Sequence, residues 1–224
     1  MHYKAIKLLV LLCFFADNIT AQDIVKIKHA YYTSYFSRSA HIPILIEYAL
    51  KSDMLVCQNH IARKNERFRP DPQLEEDTNL EEDYKHSGYD RGHNMSAQDN
   101  ECSVTGMTEC FYFSNIFPQL HSVNAGIWET VEKKERTAAK RSGNIKVFIG
   151  NLGKICAIGP DSVVVPKYCW KVIYSIKHDE YECYIFPNEL VTDNNIEDYR
   201  TTLNLIEKKA GLYFKNGQVT LLKK

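Results

Sequence analysis

Tyr89-Asp90-Arg91-Gly92-His93-Asn94-Met95 decides how this chain is understood, taken together with the residues beyond it as far as Arg136. It puts a histidine on a glycine-flanked turn. Beyond it come Ser114-Asn115 ahead of Pro118-Gln119, and then Asn124 at the head of an expected helix that carries Trp128 and Glu132. A base, an amide oxygen suited to a hard cation and a carboxylate therefore lie close together along the chain. If one local unit of strand, turn, strand and helix holds all three, the remainder is scaffold and substrate groove.

Each of these residues has a plainer reading. The chain after its first residues holds seven histidines, the eight of the full sequence less His2, and a lone histidine is more often structural than catalytic. His93 stands out through its setting, because Asp90, Arg91 and Gly92 give it a charged, sharply turning approach and glycine permits close backbone packing. An imidazole with a free pKa near ~6.5 accepts a proton from water at neutral pH, which is the work of a general base. Asn124 offers a neutral, hard oxygen of the kind Mg²⁺ accepts while keeping most of its waters. Glu132 lies eight positions later, about 80° round a helix of ~3.6 residues per turn, so both side chains can face one pocket. On its own, Glu132 reads as an exposed partner of Lys133 or Arg136, and Trp128 reads as a core anchor.

Working outward, 224 residues that are 44% hydrophobic and 25% charged describe one ordinary globular domain with a sizeable core. The formal charge of zero means that any nucleic-acid surface must come from locally clustered Lys and Arg. Lys133, Lys134, Arg136, Lys140, Arg141 and Lys146 are the candidates, although alternating charges on a helix usually mark a solvated face. Residues 1–21 read as an export signal, with Lys4 and Lys7, an apolar run over 8–16 and Asn18-Ile19-Thr20-Ala21 before Gln22. The run is too short to anchor the chain in a membrane, which points to a secreted or periplasmic protein. Six cysteines remain at 22–224, an even number that suggests disulfides, with Cys102–Cys110 the first pair expected and some thiols left free. None of them reads as a zinc site, so a structural zinc is not expected.

The rest of the chain predicts an α+β domain with a mixed or antiparallel sheet as its core. Residues 22–56 favour strands through their β-branched and aromatic weighting, and strand patterns recur at 111–116, 145–149, 163–165, 169–176 and 181–186. Helices are expected over 124–141 and 196–210, the second opened by Asn195 and stopped by Gly211. The acidic run over 75–83 reads as a solvated loop. Asn94-Met95-Ser96 matches a glycosylation pattern by chance, since a glycan there would obstruct the histidine.

Tyr89-Asp90-Arg91-Gly92-His93, Phe111-Tyr112-Phe113-Ser114-Asn115-Ile116-Phe117-Pro118-Gln119 and the run from Asn124 through Trp128 and Glu132 to Arg136 resemble, in order and spacing, the DNA/RNA non-specific endonucleases of the ββα-metal class. The likeness continues more loosely to Gly211-Leu212-Tyr213-Phe214 and so covers most of residues 22–224. It implies that a ββα-metal finger sits on the sheet, with a C-terminal helix beyond it. It also implies that His93 is the general base, Asn124 the direct ligand of Mg²⁺ (with Mn²⁺ as a substitute), and Glu132 the holder of metal-bound water. Arg91 would steady the phosphate, Asn115 and Gln119 would shape the site, and one of Arg63, Arg67 and Arg69 would assist, with Arg67 favoured. DNA and RNA would be the substrates, cut to 5′-phosphate ends by a monomer or homodimer. A homologue that binds nucleic acid without turnover is the alternative. Ile149-Gly150-Asn151 and a short loop to Ile158-Gly159 depart from the family's pattern, which bears on groove shape.

Overall fold

The structure, a computed structural model, describes residues 23–74, 81–193 and 195–222. The expected export signal and most of the acidic run lie outside them. Strands β1 (Ile24–Lys28), β2 (Tyr32–Ser37) and β3 (Ile42–Lys51) form the expected N-terminal β structure. They continue through β6 (Asn144–Ile158), β7 (Val163–Ser175), β8 (Glu180–Pro187) and the short β9 (Arg200–Thr201) into one seven-stranded sheet, antiparallel throughout.

Both faces of this sheet are covered, and the period of two along each strand assigns residues to them. On one side Val147, Ile149, Cys169 and Ile173 pack with Trp128 and with Val131 of α3 (Glu129–Ser142). On the other Leu45, Phe148, Trp170 and Val172 pack with Ile206 of α4 (Leu203–Ala210) and with Leu212 and Phe214 of β10 (Leu212–Lys215), which pairs with β11 (Gln218–Leu221). Phe148 and Trp170 are fully buried, each worth about 1.5–3 kcal/mol or more as transferred apolar surface. The first face also carries a separate two-stranded unit, β4 (Tyr89–His93) with β5 (Ile116–Leu120). Two short helices, α1 (Glu81–Tyr84) and α2 (Val104–Cys110), flank β4 in sequence.

Several expected boundaries move, each for a physical reason. The strand expected at 111–116 begins only at Ile116, because Phe113–Asn115 is a 3₁₀ turn in which the Asn115 N–H bonds Tyr112 O at 2.9 Å. The stretches 163–165 and 169–176 are one strand. Pro166 between them has no N–H to give, and the ladder absorbs it at a register shift where β6 skips from Lys154 to Cys156. The supposed short loop before Ile158 is the outer half of that same hairpin. The helix expected over 196–210 is split into a 3₁₀ turn, Ile196–Tyr199, the bridge β9, and α4 capped by Thr202, whose hydroxyl accepts the Leu205 N–H. Its apolar positions serve two cores: Ile196 and Tyr199 pack on the α3 face and Leu203 and Ile206 on the opposite one.

The cysteine pairing differs as well. Cys102 is bonded to Cys57, with Cα atoms 5.6 Å apart, and not to Cys110. The last turn of α2 carries Cys110 inward beside Met107 and Phe111, where its Sγ donates to Met107 O at 3.2 Å. Burial pushes its thiol pKa well up, so it is inert. Cys156, Cys169 and Cys183 are also free thiols. The Cys57–Cys102 bond spans 45 residues, and reducing it in EDTA-containing buffer lowers the unfolding free energy by about 2–4 kcal/mol, measured as a shift in urea midpoint.

Candidate active site

The β4–β5 pair sets Asp90 opposite Gln119, Arg91 opposite Pro118, Gly92 opposite Phe117 and His93 opposite Ile116. His93 therefore sits at the end of a strand and not on a turn. Proline is accommodated in β5 because that strand pairs only with β4. Gly92 is required by close approach: a Cβ there would overlap the Gln119 side chain. Gln119 is fully buried, and neither of its amide atoms has a hydrogen-bond partner among the described residues.

Asn115 is a buried clamp between the segments at the ends of the two strands. Its Nδ2 donates to Met95 O at 3.0 Å and Cys110 O at 2.8 Å, and its Oδ1 accepts from Met95 N at 2.9 Å. Its backbone carbonyl accepts the Asn94 side-chain amide at 2.8 Å, which leaves the glycosylation pattern at Asn94 buried.

The helix after β5 opens with a π-helical turn, Val123–Trp128, before α3. Two side chains tie this wide turn to β4. Trp128 Nε1 donates to His93 O at 3.0 Å, and Asn124 Nδ2 donates to Asp90 Oδ2 at 2.9 Å. His121 Nδ1 meets the same carboxylate oxygen at 2.8 Å. A carboxylate only accepts, so the Asn124 amide must turn its NH₂ to Asp90 and keep Oδ1 as its remaining acceptor. Asp90 thus orients the amide whose oxygen was expected to bind a metal.

His93 is 7% exposed, its ring edge-on to Phe111 at 4.9 Å and beside Phe68 at 5.3 Å. Burial, with the Arg63 charge adding to it, pushes its pKa down to about 3, so the imidazole is neutral across the physiological range. Its Nε2 is buried and has no partner among the described residues. Arg91 lies 4.8 Å above the Phe68 ring, and Arg63 lies 5.9 Å from the centre of Phe111. Of the three upstream arginines, Arg69 is held by Glu66, and Arg63 and Arg67 are both exposed. Arg63 is the one whose charge bears on His93.

Glu132 is buried on α3. Burial pushes its carboxyl pKa up, Lys171 opposes that, Glu135 adds to it, and the Ser96 hydroxyl bonds the charged form. One turn on, Glu135 accepts Lys171 Nζ at 2.7 Å and Tyr48 Oη at 3.0 Å, all three buried, with Nζ 4.3 Å from the Trp128 ring centre. Arg136 pairs with Asp99 at 3.1 Å. Burial and the Glu135 charge nonetheless lift the Asp99 carboxyl to about 7.

The basic groove expected along α3 is largely neutralised. Lys133 is paired with Glu129, Lys134 with Glu182 and Glu197, and Arg136 with Asp99, while Lys140 and Arg141 stay exposed at the end of the helix. Lys146 lies on the opposite face, where Nζ donates to Gly217 O. Asp90, the holder of Asn124, was not among the expected site residues although it stands inside the motif. Lys171 carried a signal too, as the lone charge within the apolar strand run Cys169-Trp170-Lys171-Val172-Ile173.

A two-stranded unit packed on a helix, with a neutral histidine on one strand and an oriented asparagine on the helix, defines a ββα-metal nuclease fold. The DNA/RNA non-specific endonuclease family matches residues 14–221, and the chain belongs to that family. It is similar to the mitochondrial nuclease EXOG of Xenopus laevis, 34% identical over 171 residues that cover 68% of this chain and 48% of that protein. It is also similar to nuclease C1 of Cunninghamella echinulata var. echinulata, 29% identical over 217 residues covering 89% and 85%. EndoG in its solved complex with EndoGI superposes with a TM-score of 0.79 at 26% identity over 88% of each chain. The chain spans about half the length of the EXOG relatives it matches.

Proposed function

We propose that this chain is an exported, divalent-metal-dependent endonuclease that hydrolyses phosphodiester bonds of DNA and RNA without reading sequence, leaving 5′-phosphate ends. The observation that carries the proposal is the Asn124 amide, held by Asp90 with Oδ1 presented, on a helix turn that is itself bonded to the strand of a neutral His93.

The donor set fits a hard cation. Asn124 Oδ1 is a neutral oxygen of the kind Mg²⁺ or Mn²⁺ takes with few direct protein ligands, and the Glu132 carboxylate would accept hydrogen bonds from the ion's waters. When bound, the ion supplies Lewis-acid stabilisation of the phosphate and of the leaving 3′ oxygen. His93 takes the proton from a water placed in line with phosphorus. Arg91, with Arg63 in preference to Arg67, adds positive charge where negative charge accumulates. Contacts confined to phosphate and sugar explain acceptance of both nucleic acids, and predict activity that falls with salt. Export accords with the disulfide, and no helix among the described residues is long and apolar enough to cross a membrane.

The test is cleavage of supercoiled plasmid and of RNA by the full chain with Mg²⁺ or EDTA. Wild type cuts both only with metal, and Asn124→Ala raises the Mg²⁺ concentration for half-maximal rate by about tenfold or more. Nucleic-acid binding without cleavage by the wild type overturns the enzyme in favour of a binding homologue. Arg63→Ala lowers kcat/KM by about 10-fold or more, as loss of a charge that stabilises the transition state does, while Arg67→Ala stays close to wild type. The reverse order returns the role to Arg67.

A further inference from the structure

Cys57, His60 and Cys102 set two sulfurs and a ring nitrogen within 4.8 Å of one another. None of them takes part in the hydrolytic centre proposed above. The segments are also joined beside the sulfurs: His60 Nδ1 bonds Glu101 Oε2 at 3.0 Å, and the Ile61 N–H donates to Glu101 O at 2.8 Å. The cluster thus offers two sulfurs and an imidazole, from Cys57-Gln58-Asn59-His60 and Cys102, with the Glu101 carboxylate behind the ring holding its Nδ1. The short Cys-x-x-His spacing gains meaning only because folding brings Cys102 to it.

In the structure the two sulfurs are bonded to each other. A tetrahedral ion with bonds of ~2.3 Å to sulfur and ~2.0 Å to nitrogen holds its donors roughly 3.3–3.8 Å apart. The sulfurs are bonded and all three donors lie within 4.8 Å of one another, so parting the sulfurs on reduction and a turn of the exposed His60 ring bring the set toward that spread, with water as the fourth ligand. A cleft lined by Tyr31, Met54, Asp99 and Ser103 opens on the same cysteines and gives an ion a way in.

We propose that the reduced chain binds one thiophilic divalent cation of the zinc class through Cys57, His60 and Cys102, with Glu101 orienting the His60 ring, so that disulfide and metal are alternative crosslinks of the same two segments. A dithiol reductant delivers two electrons and two protons to the disulfide, giving two thiols and its own disulfide. The incoming cation then displaces both thiol protons and is held by two thiolates. Either crosslink closes the chain that carries Arg63, Phe68 and β4, the surroundings of His93. The loop around the base is therefore held in an oxidising compartment by the disulfide and in a reducing one by the metal.

Cobalt(II) added to the full chain tests this, because a cobalt–thiolate bond gives a near-ultraviolet charge-transfer band that nitrogen and oxygen ligands do not. Cobalt at the nuclease centre is thereby silent, so the outcome is independent of whether the chain proves to be a nuclease. Protein reduced by a phosphine under argon is expected to show the band together with tetrahedral visible absorption, saturating at one cobalt per chain and bleached by Zn²⁺. Oxidised protein shows neither. His60→Ala, an exposed substitution that leaves the disulfide and the core alone, weakens cobalt affinity of the reduced chain by about 10- to 100-fold or more, as loss of one of three protein ligands does. The proposal is overturned if reduced wild type shows no sulfur band, or if its far-ultraviolet circular dichroism stays that of an unfolded chain with cobalt present. It is equally overturned if His60→Ala binds as tightly as wild type, or if a Cys57→Ser/Cys102→Ser double variant keeps the band.

Discussion

His93→Ala slows plasmid cleavage by about 10²- to 10⁴-fold while leaving nucleic-acid affinity near wild type, as removal of a positioned general base does. Substrate is held chiefly through phosphate contacts, which the imidazole does not supply. The pH profile carries the sharper prediction. A free histidine loses its proton near ~6.5, but the buried ring beside Arg63 does so at about 3, so kcat/KM for the wild type shows no His93 inflection between pH 5 and 8. An acid limb centred near ~6.5 would contradict the buried, neutral base. Arg63→Ala removes one of the two causes and moves the acid limb upward. The same shift touches stability: the unfolded ring gains its proton as pH falls below ~6.5 and the folded ring does not until about 3. His93 therefore contributes its full stability above ~6.5 and loses it progressively as pH falls toward about 3. Cleavage by His93→Ala at the wild-type rate would remove the mechanism altogether.

Lys171→Met destabilises the fold by about 3–5 kcal/mol, because it leaves the Glu135 carboxylate buried without its charge partner. Both side chains are 0% exposed, so water does not replace the lost bond. The remaining Tyr48 hydroxyl satisfies one oxygen only. Chemical denaturation measures the loss, and Lys171→Met/Glu135→Leu is the decisive partner variant. With both charges gone, much of the stability returns, since well-packed apolar groups are a fair substitute for a buried ion pair. A double variant no more stable than the single one would place the cost in packing against Trp128 and not in charge. Activity takes a different course, because Lys171 also holds down the pKa of Glu132. Without it that carboxyl takes up a proton at higher pH, so the alkaline rate is retained better than the neutral one.

The class of fold and the central motif were legible along the chain because their signals are local. Gly92 before His93, Trp128 and Glu132 on one helix, and the β-branched runs of β1–β3 each declare themselves within a few residues. What misled were patterns whose local periodicity answers to more than one surface. Ile196, Tyr199, Leu203 and Ile206 keep helical spacing, yet they pack on opposite faces of the sheet. Pro166 reads as a break, yet a two-against-one register in β6 lets β7 run through it.

Family, α+β class and the identities of the proposed base, ligand and carboxylate could all be taken from the amino-acid order alone, because Tyr89 to Arg136 fold largely against one another. Which groups act on them was settled only by packing in three dimensions. Lys171 meets Glu135 across 36 positions, and Cys57 joins Cys102 across 45. Arg63 is set apart from Arg67 and Arg69 in the same way. A guanidinium four residues from another has the same chemistry until the fold sets one of them over the Phe111 ring, where its charge reaches the imidazole. Charge, burial and bonding act through space, and spacing along a chain encodes that space only where the chain is short or regular.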